Sequence, residues 1–188
     1  MHARGRLRRN VADESGQGLV ELALVLPLLL IILLGVIEFG LIFNNIISLR
    51  QGAREAARQG VVAQFGTASA SCTSSLSGPA AGANSNTQNL LCLAKSQIGL
   101  GNTDVRLKLL LDNPGLTTAG QSFAVNNGLV LCASYRLSSI SGLFGPIING
   151  RYVTTKTAYR IEQPSPSPVV TETSETDPSG GTWSWCTN

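Results

Sequence analysis

Sixteen consecutive residues, Leu22 to Ile37 (LALVLPLLLIILLGVI), carry neither a charge nor a polar side chain, and after Glu38 the apolar character resumes through Phe43. As a helix rising ~1.5 Å per residue, the stretch from 22 to 43 covers about 33 Å, enough to cross a bilayer core. The competing reading is the apolar core of a signal peptide. Such cores run ~7 to 15 residues and end at a small-residue cleavage site, whereas no A-x-A follows this longer run. The pattern predicts a transmembrane helix. Before it, residues 1–16 hold Arg4, Arg6, Arg8 and Arg9 against Asp13 and Glu14 and form a polar, basic leader. Basic residues alone orient the span weakly, because Arg50, Arg54 and Arg58 follow it almost as densely.

The helical pattern continues past the apolar run. Residues 44–63 contain no Pro and place Ile46, Leu49, Ala53, Ala56 and Gly60 on one side, a small and close-packing surface, so one helix is expected over 17–63. Arg50, Arg54 and Arg58 recur every four residues as a cationic stripe, with Glu55 within reach of Arg58. The stripe reads as a solvated face near lipid headgroups or as a docking face for a neighbouring subunit. Residues 64–89 then read as a flexible spacer: from 66 to 89, 20 of 24 residues are Gly, Ala, Ser, Thr or Asn and none is charged.

Residues 90–162 form the expected domain. Leu90, Leu91, Ala94 and Ile98 share one helical face in a segment that ends at Gly99, a suitable C′ residue. In residues 104–111, Val105, Leu107, Leu109 and Leu111 alternate with Arg106, Lys108 and Leu110, the period of a half-buried strand. Residues 123–126 and 129–137 read as a second strand region interrupted by Asn127-Gly128, a hairpin turn or a bulge, with the hairpin preferred. After a Gly- and Pro-containing loop, residues 151–162 alternate as a third strand. A helix followed by consecutive strands implies an α+β fold, a small antiparallel sheet with one packing helix. The tail, 163–188, has four Pro, five Ser, five Thr and three acids without a base, and is expected to be disordered or loosely draped.

Composition narrows the chemistry. Only 13% of the residues are charged, against roughly 25% in soluble domains, which fits a chain partly outside water. The net charge of +3 and the scattered Arg residues do not suggest nucleic acid as a partner. A single His, His2, disfavours His-based nucleophile pairs and His-ligated metal. Gly99-Leu100-Gly101 lacks the third Gly of a phosphate cradle. Neither an enzyme, a metal nor a cofactor is expected.

The start of the apolar run carries a specific motif. Ser15-Gly16-Gln17-Gly18-Leu19-Val20-Glu21, leading into Leu22 and Pro27, resembles the class III signal region of type IV pilin-like proteins, in which cleavage follows a Gly and the fifth mature residue is Glu. Together with Ile37-Glu38-Phe39-Gly40 and Arg54-Glu55-Ala56-Ala57-Arg58, it resembles the TadE-like minor pseudopilins of Tad (Flp) pilus assembly systems over residues 15–62. A looser similarity covers Tyr135, the Leu-Phe-Gly-Pro loop and the strand running into Tyr159-Arg160-Ile161-Glu162.

The resemblance implies a prepilin peptidase that cuts between Gly16 and Gln17 at the cytoplasmic face. It also implies other pilins or pseudopilins and the inner-membrane assembly platform as partners. On it, Glu21 pairs with the new amino terminus of a neighbouring subunit; a lone Glu at that place would otherwise serve its own helix dipole. Glu38, ~25 Å further along the helix, is expected to snorkel at the opposite interface, and Pro27 to kink the span.

Cys72, Cys92, Cys132 and Cys186 all follow the span at spacings far from any C-x-x-C site. An even count there suits an oxidising compartment, hence a cytoplasmic N-terminus and an exported C-terminus; the resemblance implies that the span lies in a bacterial cytoplasmic membrane. Four cysteines allow three pairings; Cys72 with Cys92 and Cys132 with Cys186 is the expected one, with reduced thiols as the alternative. Two functions follow: a processed pseudopilin acting in pilus assembly for adhesion or secretion, or a single-pass module whose exported sheet and Trp183-Ser184-Trp185 recognise a surface ligand. The Trp pair alone favours packing on a sheet.

Overall fold

The structure, a computed structural model, describes residues 14–112 and 123–187. Most of the leader, residues 1–13, lies outside the described residues. The chain divides into two units that meet at Gly40 and Leu41.

Helix α1 runs from Glu14 to Val61. In the first unit its apolar side chains, from Leu19 to Phe39, are exposed, and no residue of its most apolar window is buried. A helical stretch whose large apolar side chains are exposed is suited to lipid. It continues without interruption through Pro27, as membrane helices tolerate.

In the second unit the end of α1 becomes part of a protein core. Leu49, Ala53, Ala56, Ala57 and Val61 are buried there, and α3 (Ser85–Ile98) packs against them. Helix α3 begins at Asn84, whose side chain accepts from the Thr87 amide at 3.0 Å, and ends at Gly99, which has φ 69° and donates to the Lys95 carbonyl at 3.0 Å. The helices approach backbone to backbone. A Cβ on Gly52 would stand 2.5 Å from Ile98 Cα, and one on Gly60 would stand 2.9 Å from the end of Leu90. Gly52 to Gly60 and Ile98 to Leu90 cover the same number of residues in opposite senses, so α1 and α3 are antiparallel and in step.

The sheet has strand order β3-β2-β1-β4, all antiparallel, with β1 Val105–Asp112, β2 Gly128–Arg136, β3 Tyr152–Arg160 and β4 Thr173–Ser174. Val105, Leu107, Leu109 and Leu111, with Leu129, Leu131 and Ala133 of β2, face the helical core. Val130 and Cys132 face the other way, into a second cluster with Trp183 and Cys186. Strand β2 is therefore central and covered on both faces, while β3 is an edge strand with exposed Thr154, Lys156 and Arg160. Charge and polarity on an edge discourage unwanted strand pairing.

Three expectations are corrected. Residues 123–126 are not a strand, because both edges of β2 are occupied by β1 and β3. Asn127-Gly128 instead turns the chain into β2: Asn126 takes φ 78°, Asn126 donates to the Ile161 carbonyl, and Ile161 donates to that of Asn127. The spacer is not a free loop, since it carries α2 (Ala70–Thr73), a 3₁₀ turn (Gly78–Gly82) and the first residues of α3. Phe65, Cys72, Leu76 and Ala80 anchor this region in the core. The tail has little regular structure, as its composition implies, but it is docked rather than disordered, through β4, the short α4 (Ser184–Thr187) and buried Val170, Glu175, Asp177 and Trp183.

Gly52→Ala should lower stability by about 1–3 kcal/mol, the cost of overpacking a tight contact. Gly60→Ala should cost less, because the atoms it meets are the mobile ends of Leu90 and Leu129. Thermal melts of the full chain in detergent check the order; equal melting temperatures for both variants would contradict this packing.

Candidate functional site

At the start of α1, Gly16, Gln17 and Glu21 lie on an exposed helical surface. A Cβ at Gly16 would meet nothing within 4 Å. One turn separates Gln17 from Glu21, and the Gln17 side-chain amide donates to Glu21 Oε1 at 3.2 Å. This exposed i, i+4 bond holds the carboxylate beside the residue that cleavage after Gly16 would make N-terminal.

Glu38 departs from the expected snorkelling position: it is 3% exposed. Further along, Arg50, Arg54 and Arg58 are all exposed. Arg58 is clamped to Glu55 by a forked pair, Nη2 to Oε1 at 2.8 Å and Nε to Oε2 at 3.0 Å. Arg58, followed by the Gln59 amide, holds the Glu55 carboxyl down to about 2.

The cysteines form two disulfides, Cys72 to Cys92 and Cys132 to Cys186, with S–S distances of 2.04 and 2.07 Å. The first ties α2 to α3. The second ties the end of the chain to the central strand, on the face where Trp183 and Trp185 meet in a tilted contact with ring centroids 5.5 Å apart. Trp183 is 3% exposed and its indole N–H donates to the Glu175 carbonyl at 3.0 Å. A side chain so placed completes a fold and leaves little aromatic surface for a ligand.

The same tail carries a buried charge cluster that the sequence reading missed. Glu175 Oε1 accepts from Lys95 Nζ at 2.8 Å and from Arg106 Nη1 at 3.3 Å, while Oε2 accepts from the Leu107 amide at 2.9 Å. Lys95 also donates to the Asn102 carbonyl at 2.6 Å, and Arg106 to Ser77 Oγ at 2.9 Å. Spacer, α3, β1 and tail thus converge on one carboxylate. Burial pushes the Lys95 pKa down, although the Glu175 hydrogen bond and charge pull it up. Lys95 is one helical turn from Leu91, inside the apolar face of α3, and that placement was the available signal. Asp177 adds a second anchor, accepting from the Ser179 and Trp183 amides, each at 2.9 Å.

Residues 16–58 match a protein family described as TadE-like protein. The matched segment is the helix from Gly16 through Arg58, and it is TadE-like; the sheet, both disulfides and the charge cluster lie beyond it. No curated protein and no solved structure matches the chain.

Removing one member of a buried ion cluster leaves the others uncompensated, at a cost of about 3–5 kcal/mol. Glu175→Gln should therefore move the denaturant midpoint down strongly, whereas the double variant Lys95→Met, Glu175→Leu should regain much of the loss. A Glu175→Gln midpoint equal to that of the unaltered chain would show that the cluster does not hold the tail.

Proposed function

We propose that this chain is a minor pseudopilin of a Tad/Flp-type pilus and acts as a structural assembly component, not as an enzyme. A prepilin peptidase removes residues 1–16 on the cytoplasmic side. Helix α1 anchors the product in the cytoplasmic membrane, with the sheet domain on the extracytoplasmic side. The observation that carries the reading is the coincidence of the TadE-like match, which begins at Gly16, with a Glu five residues later on an exposed and otherwise apolar helix. Two disulfides in the part of the chain that follows the span support export. The alternative, an anchored module using the Trp pair to bind a ligand, is disfavoured by the burial of Trp183.

In this reading the roles of the N-terminal residues follow from charge. Cleavage converts the Gln17 amide nitrogen into an ammonium group. A carboxylate in a lipid-facing helix is costly unless paired, and an ammonium from an adjacent subunit is a suitable partner in a low-dielectric setting. The Gln17 side-chain amide occupies the Glu21 carboxylate until that partner arrives. Other pilins or pseudopilins and the inner-membrane assembly platform are the partners that this pairing requires.

Mass spectrometry of membrane and sheared-pilus fractions should find a chain of 172 residues beginning at Gln17. An intact Met1–Gly16 segment in cells with active prepilin peptidase would remove the reading. Glu21→Ala should still be processed but should be depleted from assembled complexes, since charge-assisted contacts of this kind contribute about 1.5–3 kcal/mol. Normal piliation and partner recovery at an unchanged membrane level would favour the simple anchor.

A further inference from the structure

Within the second unit, the end of α1 and the end of β3 meet at a cleft of about 550 Å³. Backbone bonds fix the junction: the Glu162 and Gln163 amides donate to the Val61 carbonyl at 3.1 and 3.2 Å, and the Gln64 amide donates to the Gln59 carbonyl at 3.1 Å where the helix stops. The cleft is thus built on a helix and a strand tied to each other, which positions side chains better than loops do. Val61, Val62 and Tyr159 give it apolar surface, and Tyr159 is 38% exposed. Arg58 and Arg160 line the same cleft, and Tyr159 lies near enough to Arg58 to interact with its charge.

The two cations have donors to spare. Arg58 meets Glu55 side-on, through Nε and Nη2. A guanidinium has five N–H donors, so both on Nη1 and one on Nη2 are left for another acceptor, on a side chain that Glu55 already holds in place. Arg160 is exposed and forms no ion pair among the described residues. Arg54 and Arg50, exposed and without an ion pair there too, continue the stripe from Arg58 along α1. Four Arg therefore lie in the cleft or in line with it, against two acids, Glu55 and Glu162. Excess cation beside an apolar wall is complementary to a carboxylate next to an apolar side chain.

We infer that this cleft docks a segment of a partner protein carrying Glu or Asp beside a large apolar side chain, with the carboxylate on Arg58 and Arg160 and the apolar group on Val62 and Tyr159. A second copy of the sheet domain fits poorly. Its exposed acids Asp104, Asp112 and Glu162 adjoin Val105, Leu111 and Ile161, all buried, so none of the three offers a carboxylate with an exposed apolar neighbour in the chain. The site lies wholly within the second unit and needs neither cleavage after Gly16 nor piliation to form.

Fluorescence anisotropy on the full chain in non-ionic detergent tests this, with a fluorescein-labelled peptide of Glu residues around one central Leu as the probe. Arg58→Gln combined with Arg160→Gln should weaken binding several-fold. Arg136→Gln combined with Arg151→Gln removes the same charge near the opposite end of β3 and should leave binding nearly unchanged. All four side chains are exposed, so both variants keep the fold. A peptide with Ser in place of the central Leu should bind the unaltered chain several-fold more weakly. Equal losses from the two Arg pairs would mean that the probe reads net charge alone, and equal affinity for the two peptides would mean that the apolar wall is unused; either would overturn the inference, as would no binding to the unaltered chain. Self-association of the unaltered chain in the same detergent, abolished by Arg58→Gln with Arg160→Gln, would place a second copy in the cleft and equally overturn it.

Discussion

The near-contact of α1 with α3 is the constraint on which the rest of the second unit depends. It exists because α1 presents Gly52, Ala53, Ala56 and Gly60 on one face, so that the Ile98 backbone can approach to a distance that no larger side chain at position 52 allows. A helix that ended in large apolar side chains would hold α3 farther away and open a void above β1 and β2. The same helix therefore obeys two rules in succession: large, exposed apolar residues up to Phe43, and small, buried ones from Gly52 to Gly60. That change in side-chain size, within one uninterrupted helix, separates a surface suited to lipid from a surface suited to protein.

On the other face of the sheet the tail does what a second helix layer does in larger α+β domains. It contributes few residues to regular structure, but Trp183 and the Cys132–Cys186 bond cover β2, and Glu175 reaches past the sheet edge to Lys95 and Arg106. A disulfide restricts the unfolded chain, and a buried charge cluster penalises any arrangement in which one partner is misplaced. Together they fix a segment whose composition alone would leave it loose.

Local periodicity made much of this legible. The alternation of β1, the apolar face of α3, its stop at Gly99 and the long helix all follow from patterns within a few residues, and the small-residue stripe on α1 is visible as spacing. The missed features depend on contacts between residues far apart in the chain. Glu175 meets Lys95 across 80 positions, and Ser77 meets Thr176 across 99. Composition averages such anchors away, so the spacer and the tail look featureless although Cys72, Leu76, Val170 and Trp183 hold them down. The Asn127-Gly128 pair carries the ordinary signal of a hairpin, but β2 was already paired on both sides, and only the sheet as a whole decides that. The motif at Gly16, Gln17 and Glu21 is legible because its spacing is local.

Hydrogen exchange on the full chain in detergent tests the shared-helix account most directly, because it asks whether the end of α1 belongs to the same cooperative unit as the sheet. The amides of Ala53, Ala56 and Ala57 should be protected to the same degree as those of Leu109 and Leu131, and should lose protection together with them as denaturant is added. Exchange of the α1 amides through a separate, lower-energy opening, while Leu109 and Leu131 stay protected, would contradict it.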